Sequence, residues 1–183
     1  MACILTTGRS KPCKDAVGGI RKLYFVDFGQ LGEVTEVEDE ITDIDGTFTY
    51  YEYDVKGNSE LTQNINSSLE NGTTFFEQVV SATFTKLTKE DNKELKLMVY
   101  GQPHVFVEDY KGNVMCVGLE NGADVTEGTA VTGTAMGDLN GYTLSLTANE
   151  VCFANFVDPA LNVGGFLQGI VGTATAGSQR DPL

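Results

Sequence analysis

The chain has 183 residues and a formal net charge of −14, with 26 acidic side chains against 12 basic ones. This length is enough for one domain with a core of its own, so neither a disulfide nor a metal is needed to hold it together. The acidity argues against a protein that reads nucleic acid or binds an anionic membrane, because both need clustered Lys and Arg.

No targeting or membrane segment is expected. The N-terminal residues lack the long apolar stretch of a signal peptide, and no run approaches the roughly 18 apolar residues of a membrane span. The four cysteines show no C-x-x-C spacing and the chain has one histidine, so we expect no zinc site. Free thiols are expected, buried in the case of Cys116 and Cys152, and a bridge between Cys3 and Cys13 is the alternative in an oxidising compartment.

Charge is divided between two segments near the N-terminus. Residues 1–22 carry five basic side chains and one acid, whereas residues 33–60 carry ten acids and one base. On a monomer the acidic stretch would be a solvated loop. In a self-assembling protein the two segments can meet across subunits and set orientation and register. The candidate inter-subunit contact residues are Arg9, Lys11, Lys14, Glu36, Glu38, Asp39, Glu40, Asp43 and Asp45.

The first half of the chain has a mainly β pattern. An apolar run over 23–28 predicts a first strand, and the Asp-Gly pair at 45–46 predicts a turn before a strand over 47–55. Alternation predicts another strand over 60–68, with Leu61 and Ile65 facing inward. A run rich in Phe, Val and Thr predicts the longest strand, over 74–87.

One helix is predicted over about residues 89–100. Thr88 and Asp91 resemble a capping box in which Asp replaces the preferred Glu or Gln. Gly101 follows at the expected stop. The helix would carry one apolar stripe that can pack against a sheet, formed by Leu95, Met98 and Val99.

Two hairpins are predicted after the helix. The first joins strands over 104–110 and 114–119 through Lys-Gly-Asn, and the second joins strands over 128–136 and 141–148. The last strand alternates buried-type residues with small hydroxyl residues, which is typical of a half-buried strand. Its two sets are Tyr142, Leu144 and Leu146, and Thr143, Ser145 and Thr147.

The predicted organisation is a β-sandwich domain over residues 23–156 between two arms. The N-terminal arm spans 1–22 and the C-terminal arm spans 157–183. Residues 161–175 are glycine-rich and weakly apolar, which is unlike a stable core element.

The sequence offers little for catalysis. His104 is the only histidine, and its place at the start of a strand favours a structural role. Gly18-Gly19 lacks the spacing and the lysine of a phosphate loop. The stretch 43–46 resembles part of a calcium loop, but the distal Glu is misplaced. We therefore expect no enzyme, no cofactor and no metal site.

The order of turns and strands over roughly residues 18–156 resembles the tail tube proteins of tailed bacteriophages. The resemblance begins with Gly18-Gly19-Ile20 before a strand, and continues with the segment 70–78 before the long strand and the single helix. It then follows the turns Lys111-Gly112-Asn113, Gly118-Leu119-Glu120-Asn121-Gly122 and Gly133-Thr134-Ala135-Met136-Gly137-Asp138, the strand start Gly141-Tyr142-Thr143-Leu144, and the closing Asn149-Glu150.

This resemblance implies a small β-sandwich or barrel of the tail-tube type with one flanking helix, which closes into hexameric rings that stack into a tube. It implies that the partners are further copies of the chain and other tail or neck proteins, with no membrane partner. DNA would pass through the channel without specific binding. The protein would be assembled in the host cytoplasm and reside in the virion tail.

Three alternatives stay open. The first is another ring-forming phage component, such as a neck, tail terminator or head–tail connector ring. The second is an injection-system tube subunit. The third is a monomeric β-sandwich that serves as a binding or decoration module.

Overall fold

The computed structural model describes residues 8–11, 14, 17–55, 57–163 and 165–179. Within these residues the chain forms a mainly β fold with one α-helix, α1 (Lys89–Tyr100), and a short 3-10 helix, Pro159–Asn162. The strands are β1 (Ile20–Val26), β2 (Val34–Val37), β3 (Glu40–Ile44), β4 (Thr47–Asp54), β5 (Glu60–Ser68), β6 (Thr73–Thr85), β7 (His104–Asp109), β8 (Val114–Val117), β9 (Asp124–Val131), β10 (Gly141–Glu150), β11 (Asn155–Val157) and β12 (Thr173–Ala176).

The strands form two sheets. Sheet A has the order β12-β4-β1-β7-β8-β11-β3-β2, and sheet B has the order β5-β6-β10-β9. Sheet A curls into a half-barrel. The curl explains how β3 and β4, joined by only Asp45 and Gly46, lie near opposite ends of its strand order.

Strand β1, in the middle of sheet A, is covered on both faces. Leu23 and Phe25 of β1 face sheet B and join a core that includes Val80 and Leu146. The alternate residues of β1 face the inside of the half-barrel, in a second core with Phe48 and Phe106. A strand covered on both faces reads as a continuous apolar run, which is the pattern that predicted β1.

The predicted helix over residues 89–100 is confirmed by α1. The Thr88 hydroxyl accepts a hydrogen bond from the Asp91 backbone N–H at 3.0 Å, which caps the first turn. Leu95 is buried against the core between the sheets, with Met98 packed beside it. Val99 of the predicted stripe is exposed instead.

The prediction of an extended C-terminal arm over 157–183 was wrong. The described residues of this segment fold back onto sheet A, where β12 pairs in parallel with β4. Phe166 stacks on Tyr24 with ring centroids 3.9 Å apart, and Leu167 is fully buried. The segment closes the half-barrel because the inner apolar face of sheet A would otherwise meet water.

The acidic stretch is also not a loop. Strands β2 and β3 form a hairpin, here called the acidic hairpin, whose two-residue turn is Glu38 and Asp39. Both turn residues have positive φ, 54° and 64°, which is the geometry of a type I′ turn. The expected N-terminal arm is shorter than 1–22, since β1 already begins at Ile20, and residues 1–7 lie outside the described residues.

Two smaller predictions on burial were wrong. Ile65, expected to face inward, is 58% exposed, because it lies on the edge strand β5 at the level of the pair Phe76–Glu150, where β10 ends. Cys152 is an exposed free thiol, whereas Cys116 is buried as expected; Cys3 and Cys13 lie outside the described residues. No helix in the described part of the chain is long and apolar enough to cross a membrane.

Candidate assembly surfaces

The single histidine is bound into the fold. His104 is buried, its Nδ1 lies 2.7 Å from the Gly118 carbonyl oxygen, and its Nε2 accepts a hydrogen bond from the Gly29 N–H at 3.3 Å. This pairing places the proton on Nδ1, which donates to Gly118. Phe28 stacks on the imidazole with ring centroids 5.0 Å apart. The ring therefore joins the loop after β1 to the end of β8.

His104 makes stability depend on pH. Burial lowers its pKa below the ordinary value of 6.5, and the hydrogen bond to Gly118 offsets this only in part. As pH falls through 6.5, the histidine is protonated in the unfolded chain but stays neutral in the folded chain. The free energy of unfolding therefore falls. We expect urea denaturation between pH 7.5 and 5 to show a smaller loss of stability in His104→Gln than in the parent chain.

The comparison between these two chains cancels the titration of the acidic side chains that they share. An identical pH slope in both would mean that His104 is not held neutral in the folded state.

A buried polar network lies beside this histidine. The Gln78 amide donates to the Cys152 carbonyl and accepts from the Gly118 N–H, both at 3.1 Å, and is almost fully buried. One Glu150 carboxylate oxygen accepts from the backbone N–H groups of Glu120 and Asn121, at 3.1 and 2.9 Å. Burial raises the pKa of Glu150 despite these hydrogen bonds.

Sequence reasoning passed over both polar residues. Gln78 sits at an inward position of β6 between Phe76 and Val80, and a polar residue on the buried face of a strand needs a partner. Glu150 ends the inward alternation of β10 in the same way. Their role is structural, since each ties sheet B to a turn. Among the described residues no group of three or more His, Cys, Asp or Glu side chains could hold a metal ion.

Sheet B turns one face away from the core, here called the outer face. On β10 this face carries Thr143, Ser145 and Thr147, while Tyr142, Leu144 and Leu146 point into the core, as predicted. Neither Lys nor Arg occurs in any of the four strands. The acidic residues of the outer face are Glu60, Glu77, Asp124 and Glu127.

Strands β5 and β9 are the edges of sheet B. Each pairs on one side with its inner neighbour, β6 or β10, through nearly its whole length. The other side of each strand pairs with no other described strand. A long edge of this kind exposes a row of backbone donors and acceptors that can pair with another chain.

The acidic hairpin lies in line with the C-terminal end of β1. Neighbouring strands of sheet A connect the two through the pairs Val26–His104, Val105–Val117, Cys116–Asn155 and Phe156–Glu40. The start of β1 at Ile20 lies about 20 Å away at the rise of an extended strand. The basic segment, Arg9, Lys11 and Lys14, precedes that opposite end.

The structure divides the predicted contact residues into three groups. Glu36, Glu38, Asp39 and Glu40 come together at the turn of the acidic hairpin. Asp43 and Asp45 lie at the far end of β3, where the Asp43 carboxylate accepts from the Val171 N–H at 2.8 Å and so holds the C-terminal segment. Arg9, Lys11 and Lys14 are exposed and form no salt bridge with any residue that the structure describes.

Comparisons with models of known protein families, with curated proteins and with solved structures return no match.

Proposed function

We propose that the chain is a structural subunit that closes into homo-oligomeric rings, in the manner of a phage tail tube, with a channel for DNA passage. The observation that carries this proposal is sheet B, which combines two free edges with an outer face that lacks Lys and Arg. In a ring, β5 of one subunit pairs with β9 of the next, and the edge groups of both strands are satisfied.

The outer face then lines the channel. Its carboxylates, Glu60, Glu77, Asp124 and Glu127, repel a passing phosphate backbone, and no basic side chain on it retains DNA by releasing counterions. The small hydroxyl residues of β10 leave the wall smooth. Six copies and a place in the virion tail follow from the resemblance to tail tube proteins, and a neck, terminator, connector or injection-system ring would use the same geometry.

A monomeric binding or decoration module is the second candidate. A β-bulge interrupts β9 near Thr126, and bulges on edge strands often protect monomers from pairing. Glu60 and Glu127 also lie at the same level on the two edges, since both align with the Ser81–Ser145 pair. Facing each other in a ring they would repel, so ring closure requires a stagger between subunits.

The deciding experiment is size exclusion with light scattering, followed by negative-stain microscopy, over a wide range of protein concentration. Rings or tubes with a central channel are the expected result. A strictly monomeric species at every concentration would exclude the ring and leave the monomeric module. A channel wall rich in Lys and Arg in a structure of the assembly would refute the proposed lining.

Contacts between stacked rings are expected to depend on charge. The acidic hairpin lies at the C-terminal end of β1 and the basic segment precedes its start in the sequence, so the two can meet between subunits in a head-to-tail stack. Replacing Glu38, Asp39 and Glu40 with lysine should shorten the tubes seen by negative stain in low salt. Lysine at Asp54, Glu70 and Glu90, which are exposed and keep the same change in net charge, is the control, and unchanged tube length in the hairpin variant would contradict the idea.

A further inference from the structure

A groove of about 380 Å³ opens between the C-terminal half of α1 and the strands β1 and β4. It is lined by aromatic rings and by two carboxylates, and we refer to it as the aromatic–acidic groove. Its defining residues are Phe25, Phe28, Tyr51, Tyr53, Asp27 and Glu94.

The aromatic wall is fixed by packing. Phe25 and Tyr53 meet edge to face with ring centroids 5.1 Å apart, and Phe28 is held by stacking on His104. Phe28 is nevertheless 49% exposed and Tyr51 44% exposed. A ligand therefore meets rings that are already in position, and little conformational entropy is lost when it binds.

The electrostatics of the groove favour a cation. Asp27 and Glu94 supply two carboxylates, and no Lys or Arg belongs to the lining. Glu94 forms no salt bridge with any described residue. Helix α1 ends at Gly101 in the same wall and has no basic residue in its last turn, so its terminal carbonyl groups add negative potential.

Aromatic faces beside carboxylates recognise a cation carried on an apolar stem. The face of an aromatic ring attracts an ammonium or guanidinium group, while the methylene stem of Lys or Arg packs along apolar surface. Leu97 and Met98 provide such surface next to the carboxylates. The groove is thus suited to a Lys or Arg side chain from another polypeptide segment.

We propose that the aromatic–acidic groove receives the Arg9 or Lys11 side chain of a second copy of the chain. This inference rests on the proposed self-assembly and names one contact that would form between its subunits. Both side chains are exposed and form no salt bridge with any described residue. Asp27 directly follows the C-terminal end of β1, whereas the basic segment precedes its start. Because the basic segment precedes β1 in the sequence and the groove lies beside the end of β1, a head-to-tail contact between copies can join the two and repeat along a stack.

The test uses the full chain and a labelled peptide with the sequence of residues 1–17. Fluorescence anisotropy measures peptide binding to the parent chain and to the Asp27→Asn, Glu94→Gln double variant. We expect the double variant to bind the peptide about fivefold more weakly, as the loss of two exposed ion pairs predicts. The Glu90→Gln variant, one helical turn earlier and outside the lining, is the matched control and should bind as the parent does.

A peptide with Arg9 and Lys11 replaced by glutamine should bind the parent chain at least as weakly as the native peptide binds the double variant, and it should show no further loss with the double variant. Equal binding of the native peptide to the parent and to the double variant would overturn the assignment. The assignment would also be overturned if tetramethylammonium protected the groove from hydrogen exchange while the peptide did not bind.

Sedimentation of the same full-length variants separates this inference from the proposed function. If the parent assembles and the double variant assembles equally well, the groove contact is wrong and the ring proposal stands. If the parent never assembles, the ring proposal fails, whereas the peptide measurement still decides whether the groove binds the basic segment.

Discussion

Replacing Phe166 with alanine is expected to lower the free energy of unfolding by about 3–4 kcal/mol, the usual cost of truncating a buried aromatic side chain. Phe166 stacks on Tyr24 and meets Tyr50 and Phe106 edge to face, with ring centroids 4.8 and 5.2 Å apart. Its removal leaves a cavity inside the half-barrel that neighbouring strands cannot fill. Urea denaturation followed by circular dichroism measures the change.

Phe156→Ala is the matched control for this substitution. The Phe156 side chain is half exposed on β11, and we expect its truncation to cost about 1 kcal/mol or less. Equal effects of the two substitutions would mean that the C-terminal segment does not cover the half-barrel in solution. It would then be free to act as the arm that the sequence predicted.

Replacing Gln78 with alanine is expected to cost about 2–4 kcal/mol of unfolding free energy, since it combines a cavity with lost hydrogen bonds. The substitution leaves the Gly118 N–H and the Cys152 carbonyl without their partner. Gly118 cannot move easily to find another, because its carbonyl oxygen accepts hydrogen bonds from His104 Nδ1 at 2.7 Å and from the Gly122 N–H at 3.2 Å.

Gln30→Ala, at an exposed position of the loop after β1, controls for the change of residue type and should alter stability by less than about 0.5 kcal/mol. Hydrogen exchange at Gly118 gives an independent readout, because its amide should lose protection in Gln78→Ala. Retained protection would show that Gln78 is not the acceptor.

Stability of the C-terminal segment also bears on assembly. The Asp43 carboxylate accepts a hydrogen bond from the Val171 N–H, and β12 pairs with β4. The C-terminal segment is therefore bound within its own subunit. In the proposed assembly, inter-subunit contacts would therefore come from the free edges of sheet B, the acidic hairpin, the aromatic–acidic groove and the basic segment. Variants in the half-barrel should alter stability without altering the symmetry of a ring.

Local patterns in the sequence determined most elements of this protein. The helix was predictable because Thr88 caps it and Leu95 and Met98 recur at its period. The β10 strand was predictable because strict alternation fixes which side chains face the core. The imbalance of charge between residues 1–22 and 33–60 is likewise a property of the sequence alone.

Only the tertiary structure decided how these elements combine. The C-terminal segment looked like an arm because its glycines and weak periodicity carry no local signal, yet Phe166 and Leu167 fill a space formed by distant strands. The same holds for Gln78, whose partners are 40 and 74 residues away. It also holds for the aromatic–acidic groove, whose lining comes from β1, β4, α1 and the loops that follow β1 and α1. Contacts over such separations arise from the curl of sheet A and the packing of sheet B against it, and no local periodicity encodes them.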